Sequence, residues 1–344
     1  MKMKPTLYFA TVLPGLEYVL EQEIRMKIAD AKVGSVERGK VHFASRSPVE
    51  ALTKLRTADN LYRLVHRFRV GPHKADLSRI EREIAGLDLA RACTERLSPA
   101  AFIVNAGRTG KHTYSRFEAA EAAARGVVRR MARWARGTAG AHDVEFRLDL
   151  VHEDALFALK LTDASFRYRT DRRVFARAAL RPTVAHALVL LSKPEAADRF
   201  VDPCCGSGTI VSERLAYPYR RIWGGDASAE AVEAANANIG GRDRVHIRRW
   251  DARQLPLDAA CADKAAANLP FGRQIAAGAN LLELYGGMLA ETARVLKPGG
   301  LAVVLTDAEP PLLHAAERAG FACVRESILS LKGLHPAVYR LHKR

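Results

Sequence analysis

Apolar and polar residues alternate, or recur with helical spacing, along the first 72 residues of the chain. Alternation predicts strands, and apolar positions three or four apart predict helices. These periods predict, in chain order, a strand over 6–11, a helix over 16–28, a hairpin of strands 33–37 and 40–44, a helix over 48–56 and a strand over 61–70. This order is typical of a ferredoxin-like unit, which Gly71-Pro72 ends.

Residues 74–163 continue with a second set of helices and strands. The predicted elements are helices over 77–87, 89–97 and 115–136 and strands over 101–106, 144–150 and 155–161. The last helix would place Arg125, Arg129, Arg133 and Arg136 on one face. Such a face suits contact with nucleic-acid phosphates, although a solvated helix surface explains it equally well.

From residue 181 onward, helices and strands alternate. The predicted helices are 182–191, 209–216, 229–239, 281–296 and 310–319. The predicted strands are 199–202, 222–226, 245–250, 265–268, 301–306, 324–331 and 337–342. Strands that alternate with helices imply right-handed crossovers and a largely parallel sheet. We therefore expect four segments, at 1–72, 73–164, 165–180 (a basic connector) and 181–344.

Positive charge is concentrated in the first half of the chain. Of a net charge of +16, residues 1–180 contribute 12 and residues 181–344 contribute 4. An excess of this size attracts polyanions over a screening distance of about 10 Å. Nucleic acid is the partner that fits best, with Arg172 and Arg173 of the connector as further candidate phosphate contacts. Arginine used only as a solvated surface residue is the alternative.

Other compositional signals are weak. The chain has no apolar run of about 18 residues and no signal-peptide pattern at its start, so we expect a cytoplasmic protein without a membrane span. Its five cysteines do not follow a metal-binding or disulfide spacing, so we expect reduced thiols and no metal. Nothing indicates an obligate protein partner.

A glycine-rich turn follows the first strand of the last segment. Asp202 ends that strand, and Cys204, Gly206, Gly208 and Thr209 follow in the turn. Glycines let the backbone approach a ligand closely, and ligands of parallel sheets bind at the carboxyl ends of strands. The spacing is neither the dinucleotide fingerprint nor a phosphate loop. An acid at the head of the turn favours a cationic sulfonium or amine over a phosphate.

Acids also close the next two predicted strands. Asp226, followed by Ala227, is placed to accept the hydroxyls of a ribose, and Asp251, followed by Ala252, is placed to accept an adenine amino group. Either aspartate alone is explained as a helix cap. Arg181 and Thr183, before the first strand, are candidates for the cofactor carboxylate, or for capping the helix that begins there.

Asn268, Leu269, Pro270 and Phe271 follow the fourth strand. An exocyclic amine on a base is a weak nucleophile because its lone pair is delocalised. The Asn268 oxygen, which also neighbours the cofactor, and a backbone carbonyl near Leu269 can accept its two hydrogens. Pro270 fixes the loop, and Phe271 offers a stacking face. A plain strand-to-helix turn is the alternative.

Together, these motifs resemble those of class I S-adenosylmethionine-dependent methyltransferases that act on amino nitrogens. The segments that carry the likeness are Asp202–Ile210, 234–236 behind Asp226, Asp251-Ala252 and 268–272. The whole chain, with 179–183 and 333–339, resembles the THUMP-domain RNA guanine-N2 methyltransferases.

The resemblance implies a Rossmann-like domain with a mostly parallel seven-stranded sheet. A ferredoxin-like and THUMP α+β region would precede it and grip tRNA, commonly by its 3′ end. With leucine at position 269, the loop resembles that of the family branch that modifies guanosine 6 of the tRNA acceptor stem. We therefore predict transfer of a methyl group from S-adenosylmethionine to that guanine's 2-amino group. Ribosomal RNA, DNA adenine and a non-catalytic tRNA-binding role remain alternatives.

Overall fold

The computed structural model describes residues 4–93, 100–169, 180–272, 278, 280–331 and 333–344. The helices of these residues are α1 (Glu17–Lys27), α2 (Val49–Leu52), α3 (Leu77–Ala85), α4 (Leu89–Ala92), α5 (Arg116–Arg130), α6 (Ala164–Tyr168), α7 (Pro182–Leu191), α8 (Thr209–Arg214), α9 (Ala229–Ile239), α10 (Leu281–Val295) and α11 (Glu309–Arg318). Each of these helices is too short or too polar to cross a membrane.

The strands of the N-terminal half form one sheet. They are β1 (Thr6–Thr11), β2 (Lys32–Glu37), β3 (Lys40–Ser45), β4 (Asn60–Arg69), β5 (Ala101–Thr109), β6 (Ala135–Arg136), β7 (Val144–Val151) and β8 (Asp154–Lys160). Their order is β2-β3-β1-β4-β8-β7-β5-β6. Antiparallel pairing of β4 with β8 joins the first two predicted segments into a continuous sheet. The predicted segment limits themselves stay a prediction.

The prediction of one helix over 115–136 is wrong for its last six residues, 131–136. Helix α5 ends at Arg130, and Ala135–Arg136 form β6 parallel to β5. Between them Trp134 is buried, and its ring centre lies 6.2 Å from that of Phe102. Burying this indole in the sheet's core turns the chain out of the helix, since an aromatic ring contributes much apolar area. Arg133 and Arg136 therefore do not extend the helical row of Arg125 and Arg129.

The second sheet is mostly parallel, as the alternation of helices and strands predicted. Its strands are β9 (Arg199–Asp202), β10 (Arg221–Asp226), β11 (Val245–Arg249), β12 (Ala262–Asn268), β13 (Leu296–Thr306), β14 (Phe321–Ile328) and β15 (Ala337–Lys343). The order is β11-β10-β9-β12-β13-β15-β14, with β15 antiparallel to both of its neighbours. The chain order reverses between β9 and β12, and such a switch point is where open sheets bind ligands.

The two halves share a hydrophobic core. Leu16, which precedes α1, and Leu20 of α1 belong to the same buried cluster as Val184 and Leu188 of α7. Because helix α7 also packs against β12 and β13, the N-terminal half rests on the sheet that carries the candidate site.

Candidate active site

The glycine-rich turn and the asparagine loop lie side by side. β9 and β12 are parallel neighbours, with Ala265 opposite Val201. Asp202 and Asn268, at the ends of these strands, therefore come to the same edge of the sheet. The Cys204 thiol donates to the backbone carbonyl of Asn268 at 3.6 Å and links the two loops directly. The structure thus brings together the two motifs that are 66 residues apart in the sequence.

Asp202 is fully buried, and only one of its two carboxyl oxygens accepts a hydrogen bond from the described residues. Its Oδ1 accepts from the Cys204 backbone N–H at 3.3 Å, whereas Oδ2 has no hydrogen-bond partner among the described residues. Burial raises the pKa of this carboxyl well above its usual range, and the nearby Asp226 raises it further. An unpartnered buried carboxyl oxygen is costly. A cationic or N–H-bearing ligand placed here would remove that cost.

The glycines of the turn serve different needs. Gly206 and Gly208 both have positive φ, at +52° and +77°. A Cβ on Gly208 would lie 2.8 Å from Ile239 Cδ1 and 3.2 Å from Ala235 Cβ, so the turn packs directly on α9. A Cβ on Gly206 would meet nothing within 4 Å, which leaves open space beside that backbone. Thr209 is buried and begins α8.

Asp226 connects the turn to the next loop. Its Oδ2 accepts from the Gly206 N–H and its Oδ1 from the Ser228 N–H, both at 3.0 Å. Ala227 beside it is exposed. A residue that sequence reasoning missed supports this edge: the buried Trp250 donates through Nε1 to the Pro203 carbonyl at 2.8 Å.

Asp251 does not end a strand as predicted, because β11 ends two residues earlier. Asp251 instead begins a turn closed by a bridge to Gln254. It is exposed and pairs with Arg253 at 2.7 Å, and hydrogen bonds from Arg253 lower its carboxyl pKa. Ala252 packs against the domain core. Contact of Asp251 with an adenine amino group stays a prediction.

Arg181 and Thr183 lie at the start of α7. The Arg181 side chain does not cap the helix. The buried Thr183 hydroxyl donates to Asp59 Oδ1 at 3.0 Å, so it faces the N-terminal half. Their predicted contact with a cofactor carboxylate is not tested by this arrangement.

Asn268 carries the second unpartnered acceptor of the site. Its Oδ1 is buried and lacks a hydrogen-bond partner among the described residues. The backbone N–H of the buried Leu269 donates to the Leu305 carbonyl at 3.0 Å, which extends the sheet into the loop. Phe271 is half-buried against the shared core. The loop therefore holds a buried amide oxygen whose capacity to accept a hydrogen bond is unused among the described residues.

Tyr285 and Thr306 hold this loop in place, and the sequence did not reveal them. The Tyr285 hydroxyl donates to the Pro270 carbonyl at 2.7 Å and lies 2.7 Å from Thr306 Oγ1. Thr306 Oγ1 accepts from the Ala308 N–H at 3.0 Å. Burial raises the pKa of Tyr285 to about 12, so the phenol keeps its proton. A tyrosine buried in an apolar helix needs such a partner, which is the signal that points to it.

We expect Tyr285→Phe to lower kcat about five- to tenfold, because one buried hydrogen bond worth about 1 kcal/mol is lost from the loop. The Kd of the methyl donor should change less than about twofold. Tyr219→Phe is the matched control, since among the described residues its hydroxyl makes one long hydrogen bond, to the exposed Asp243 carbonyl at 3.4 Å. Equal turnover numbers for the two variants would contradict this role for Tyr285.

Two of the arginines predicted to contact phosphates already form ion pairs within the protein. Arg125 and Arg129 both bind Glu81, at 2.8 and 3.0 Å, and Arg133 is exposed beyond the end of α5. Arg172 and Arg173 lie outside the described residues. RNA contact by these arginines stays a prediction. Among the residues that the structure describes, no group of three His, Cys, Asp or Glu residues can hold a metal.

The strand order, with a single antiparallel strand near one edge and ligand loops at the reversal, is that of the class I methyltransferase fold. Residues 169–337 match a family described as "RMKL-like, methyltransferase domain". A crystal structure of TrmN from Thermus thermophilus superimposes with a TM-score of 0.80 at 25% identity, covering 98% of this chain and all of that one.

Similarity to curated proteins extends over the whole chain. It is 30% identical to a tRNA (guanine(6)-N2)-methyltransferase of Thermus thermophilus, over 97% of this chain and 98% of that protein. It is also 29% identical to the Mus musculus tRNA (guanine(6)-N(2))-methyltransferase THUMP3, over 70% of this chain and 51% of that protein. The chain belongs to the family of tRNA (guanine-N2)-methyltransferases.

Proposed function

We propose that this protein transfers a methyl group from S-adenosylmethionine to the 2-amino group of a tRNA guanosine, guanosine 6 of the acceptor stem. The unpartnered Asn268 Oδ1, held beside the Asp202 turn, is the observation that carries the proposal. The whole-length similarity to the Thermus thermophilus enzyme supports the choice of substrate.

The residues present suit the donor. Bound S-adenosylmethionine supplies an electrophilic methyl group on a cationic sulfonium. The free oxygen of Asp202 matches a cationic, N–H-bearing amino-acid end. The open space at Gly206 admits a ligand close to the backbone. Asp226 lies at the end of β10, where we place the ribose hydroxyls.

On the acceptor side, Asn268 Oδ1 and a carbonyl near Leu269 would accept the two hydrogens of the amino group and orient its lone pair. The Phe271 ring would stack on the base, a contact worth about 1–3 kcal/mol. The guanine must first leave its base pair to reach the loop. Most of the acceleration would come from holding the two reactants in line, since the chemistry needs little acid or base.

The N-terminal half would bind the tRNA. We propose that residues 1–72 form the ferredoxin-like unit and 73–164 a THUMP unit, joined by the connector 165–180. Their excess of positive charge favours a polyanion. Arg125, Arg129, Arg133, Arg172 and Arg173 are the proposed phosphate contacts. Neutralising them should reduce the dependence of tRNA affinity on salt.

The test uses S-adenosylmethionine with a labelled methyl group and equal amounts of unmodified tRNA, ribosomal RNA and DNA. We expect label in tRNA only, recovered as N2-methylguanosine and mapped to position 6. A transcript with adenosine at that position serves as the control and should accept no label. Label confined to ribosomal RNA or DNA, or no transfer although tRNA binds, would refute the proposal.

A further inference from the structure

Arg253 binds the carboxylate of Asp251 through several hydrogen bonds. Its Nη2 donates to Asp251 Oδ2 at 2.7 Å, and its Nε lies 3.1 Å from Oδ1 and 3.2 Å from Oδ2. The backbone N–H of Arg253 also donates to Oδ1, at 2.9 Å. These contacts fix the direction of a carboxylate side chain that is 47% exposed. The chemistry proposed at Asn268 does not use Arg253.

The loop that carries Asp251 adjoins the loop of Asp226. β10 and β11 are parallel neighbours, with Asp226 opposite Arg249, and the Trp250 N–H donates to the Asp226 carbonyl at 3.1 Å. Arg249 Nε also donates to the Ala227 carbonyl at 2.9 Å. If the ribose hydroxyls lie at Asp226, the base that the ribose carries comes next to the adjoining strand end. Asp251 therefore lies where that base would come.

The aliphatic stem of Arg253 packs on a glycine of α10. A Cβ on Gly287 would lie 3.0 Å from Arg253 Cγ, 3.1 Å from its Cβ and 3.3 Å from its Cδ, closer than carbon atoms normally approach. A Cβ on the preceding Gly286 would meet nothing within 4 Å. Helix α10 also binds this loop farther along, since the Leu255 N–H donates to Glu291 Oε2 at 2.7 Å. The packing of its stem thus helps to place the guanidinium.

Stability alone does not explain this arrangement. The side chains of Arg253 and Asp251 are 51% and 47% exposed, and exposed ion pairs contribute little to the free energy of folding. Glycine in a helix interior lowers helix stability relative to alanine, so Gly287 weakens α10. Such features are expected where neighbouring residues must hold a ligand-binding side chain in one orientation.

The chemistry of the pair suits an amino group. An ionised carboxylate donates no hydrogen bonds and offers about four acceptor positions. Hydrogen bonds from Arg253 hold the pKa of the Asp251 carboxyl below its usual value, so it remains an acceptor. The three N–H groups of Arg253 leave about one of those positions open. The 6-amino group of a purine can donate to it, whereas a 6-oxo group would oppose one acceptor to another.

We propose that Arg253, packed on Gly287, directs the Asp251 carboxylate at the adenine of the methyl donor and gives the cofactor site its preference for a 6-amino purine. Arg253 and Gly287 are positioning residues, and the inference rests on the proposed function. Without the guanidinium, Asp251 would rotate in solvent and its discrimination between an amino and an oxo group would fall. Helix α10 then serves both substrates, because its Tyr285 also holds the Pro270 carbonyl.

The first experiment measures binding alone, by calorimetry without RNA. The probes are S-adenosylhomocysteine and S-inosylhomocysteine, which carry an amino and an oxo group, respectively, at C6 of the purine. We expect the unaltered protein to bind the amino compound at least about tenfold more tightly, because the oxo group leaves Asp251 facing another acceptor. Arg253→Met should reduce this ratio of dissociation constants to about threefold or less.

Two further variants separate geometry from charge. Arg253→Lys keeps the charge but lacks the planar set of donors, so its ratio should fall between those of Arg253→Met and the unaltered protein. Arg318→Met removes one positive charge from an exposed residue of α11 and should leave the ratio unchanged. An unchanged ratio in Arg253→Met, or an equal fall in Arg318→Met, would overturn the inference.

The second experiment leaves Asp251 and Arg253 in place and changes the helix beside them. Gly287→Ala adds a methyl group against the Arg253 stem, whereas Gly286→Ala adds the same group in open space. Both substitutions favour the helix, so a difference between them reports the displaced stem. We expect Gly287→Ala to lower the ratio at least about twofold and Gly286→Ala to leave it unchanged. Equal ratios in the two variants would refute a role for the packing on Gly287.

The outcomes separate this inference from the proposed function. General damage to the fold weakens binding of both compounds alike, so it leaves their ratio unchanged and counts against a positioning role. If the unaltered protein binds neither compound, the proposed function fails and this inference fails with it. If it binds both equally, Asp251 does not hold the purine, and this inference fails while the proposed methyl transfer stands.

Discussion

Replacing Asn268 with alanine should lower kcat by about two to three orders of magnitude, the usual effect of removing one preorganised polar group from a reacting centre. Within residues 268–271, which continue from Asn268 with leucine, proline and phenylalanine, the unpartnered Oδ1 is the only side-chain oxygen. Without it, the amine lone pair stays delocalised into the base. Binding of both substrates should change less than about threefold. Single-turnover kinetics with labelled donor, together with both dissociation constants, provide the measurement.

Two further variants make that experiment specific. Asn236→Ala is the matched control, because among the described residues this exposed asparagine of α9 donates one hydrogen bond, to the Val232 carbonyl at 3.0 Å. Asn268→Asp keeps an acceptor oxygen and should retain more activity than Asn268→Ala. Full activity of Asn268→Ala would exclude the proposed grip on the amino group. A loss that appeared only in donor affinity would assign Asn268 to the cofactor alone.

Asp226→Ala should raise the Kd for S-adenosylmethionine about 10- to 100-fold, since hydrogen bonds to a carboxylate contribute about 1.5–3 kcal/mol each. The substitution removes the proposed ribose acceptor and also frees the N–H groups of Gly206 and Ser228, so the turn loses its support. Affinity for tRNA should not change, because the proposed phosphate contacts lie in the other half. Calorimetry with each ligand separately measures both effects.

Asp243→Ala is the control for the loss of one negative charge, because the Asp243 side chain is 89% exposed in the loop after α9. If Asp226→Ala binds the donor as tightly as this control, the ribose site is elsewhere. A parallel loss of tRNA affinity would indicate that the variant has disturbed the whole fold.

The spacing of apolar residues along the chain predicted most strands of the second sheet. Its central strands are buried on both faces and its helices carry one apolar face, so short-range patterns are strong there. Helices α7 and α9 begin and end where the sequence predicted. The positions of Asp202 and Asn268 also followed, because the carboxyl ends of parallel strands share one edge.

Contacts between distant residues could not be predicted in this way. The end of α5 depends on where Trp134 finds its aromatic partners, and the environment of Asp251 depends on where β11 ends. Tyr285 reaches Pro270 from a different helix, and Glu23 meets Arg56 and Thr57 more than 30 positions away. Such pairs carry no periodic signal, and their partners emerge only from the tertiary structure.

The β4–β8 pairing also bears on synthesis of the chain. Residue 69, which ends β4, precedes residue 154, which begins β8, by 85 positions. At about 5–20 residues per second, the ribosome needs roughly 4–17 s to supply the missing partner. During that interval the nascent β4 has one bare edge that another polypeptide can occupy. Slower translation of this stretch should therefore increase misassembly, and chaperone demand should peak before β8 emerges.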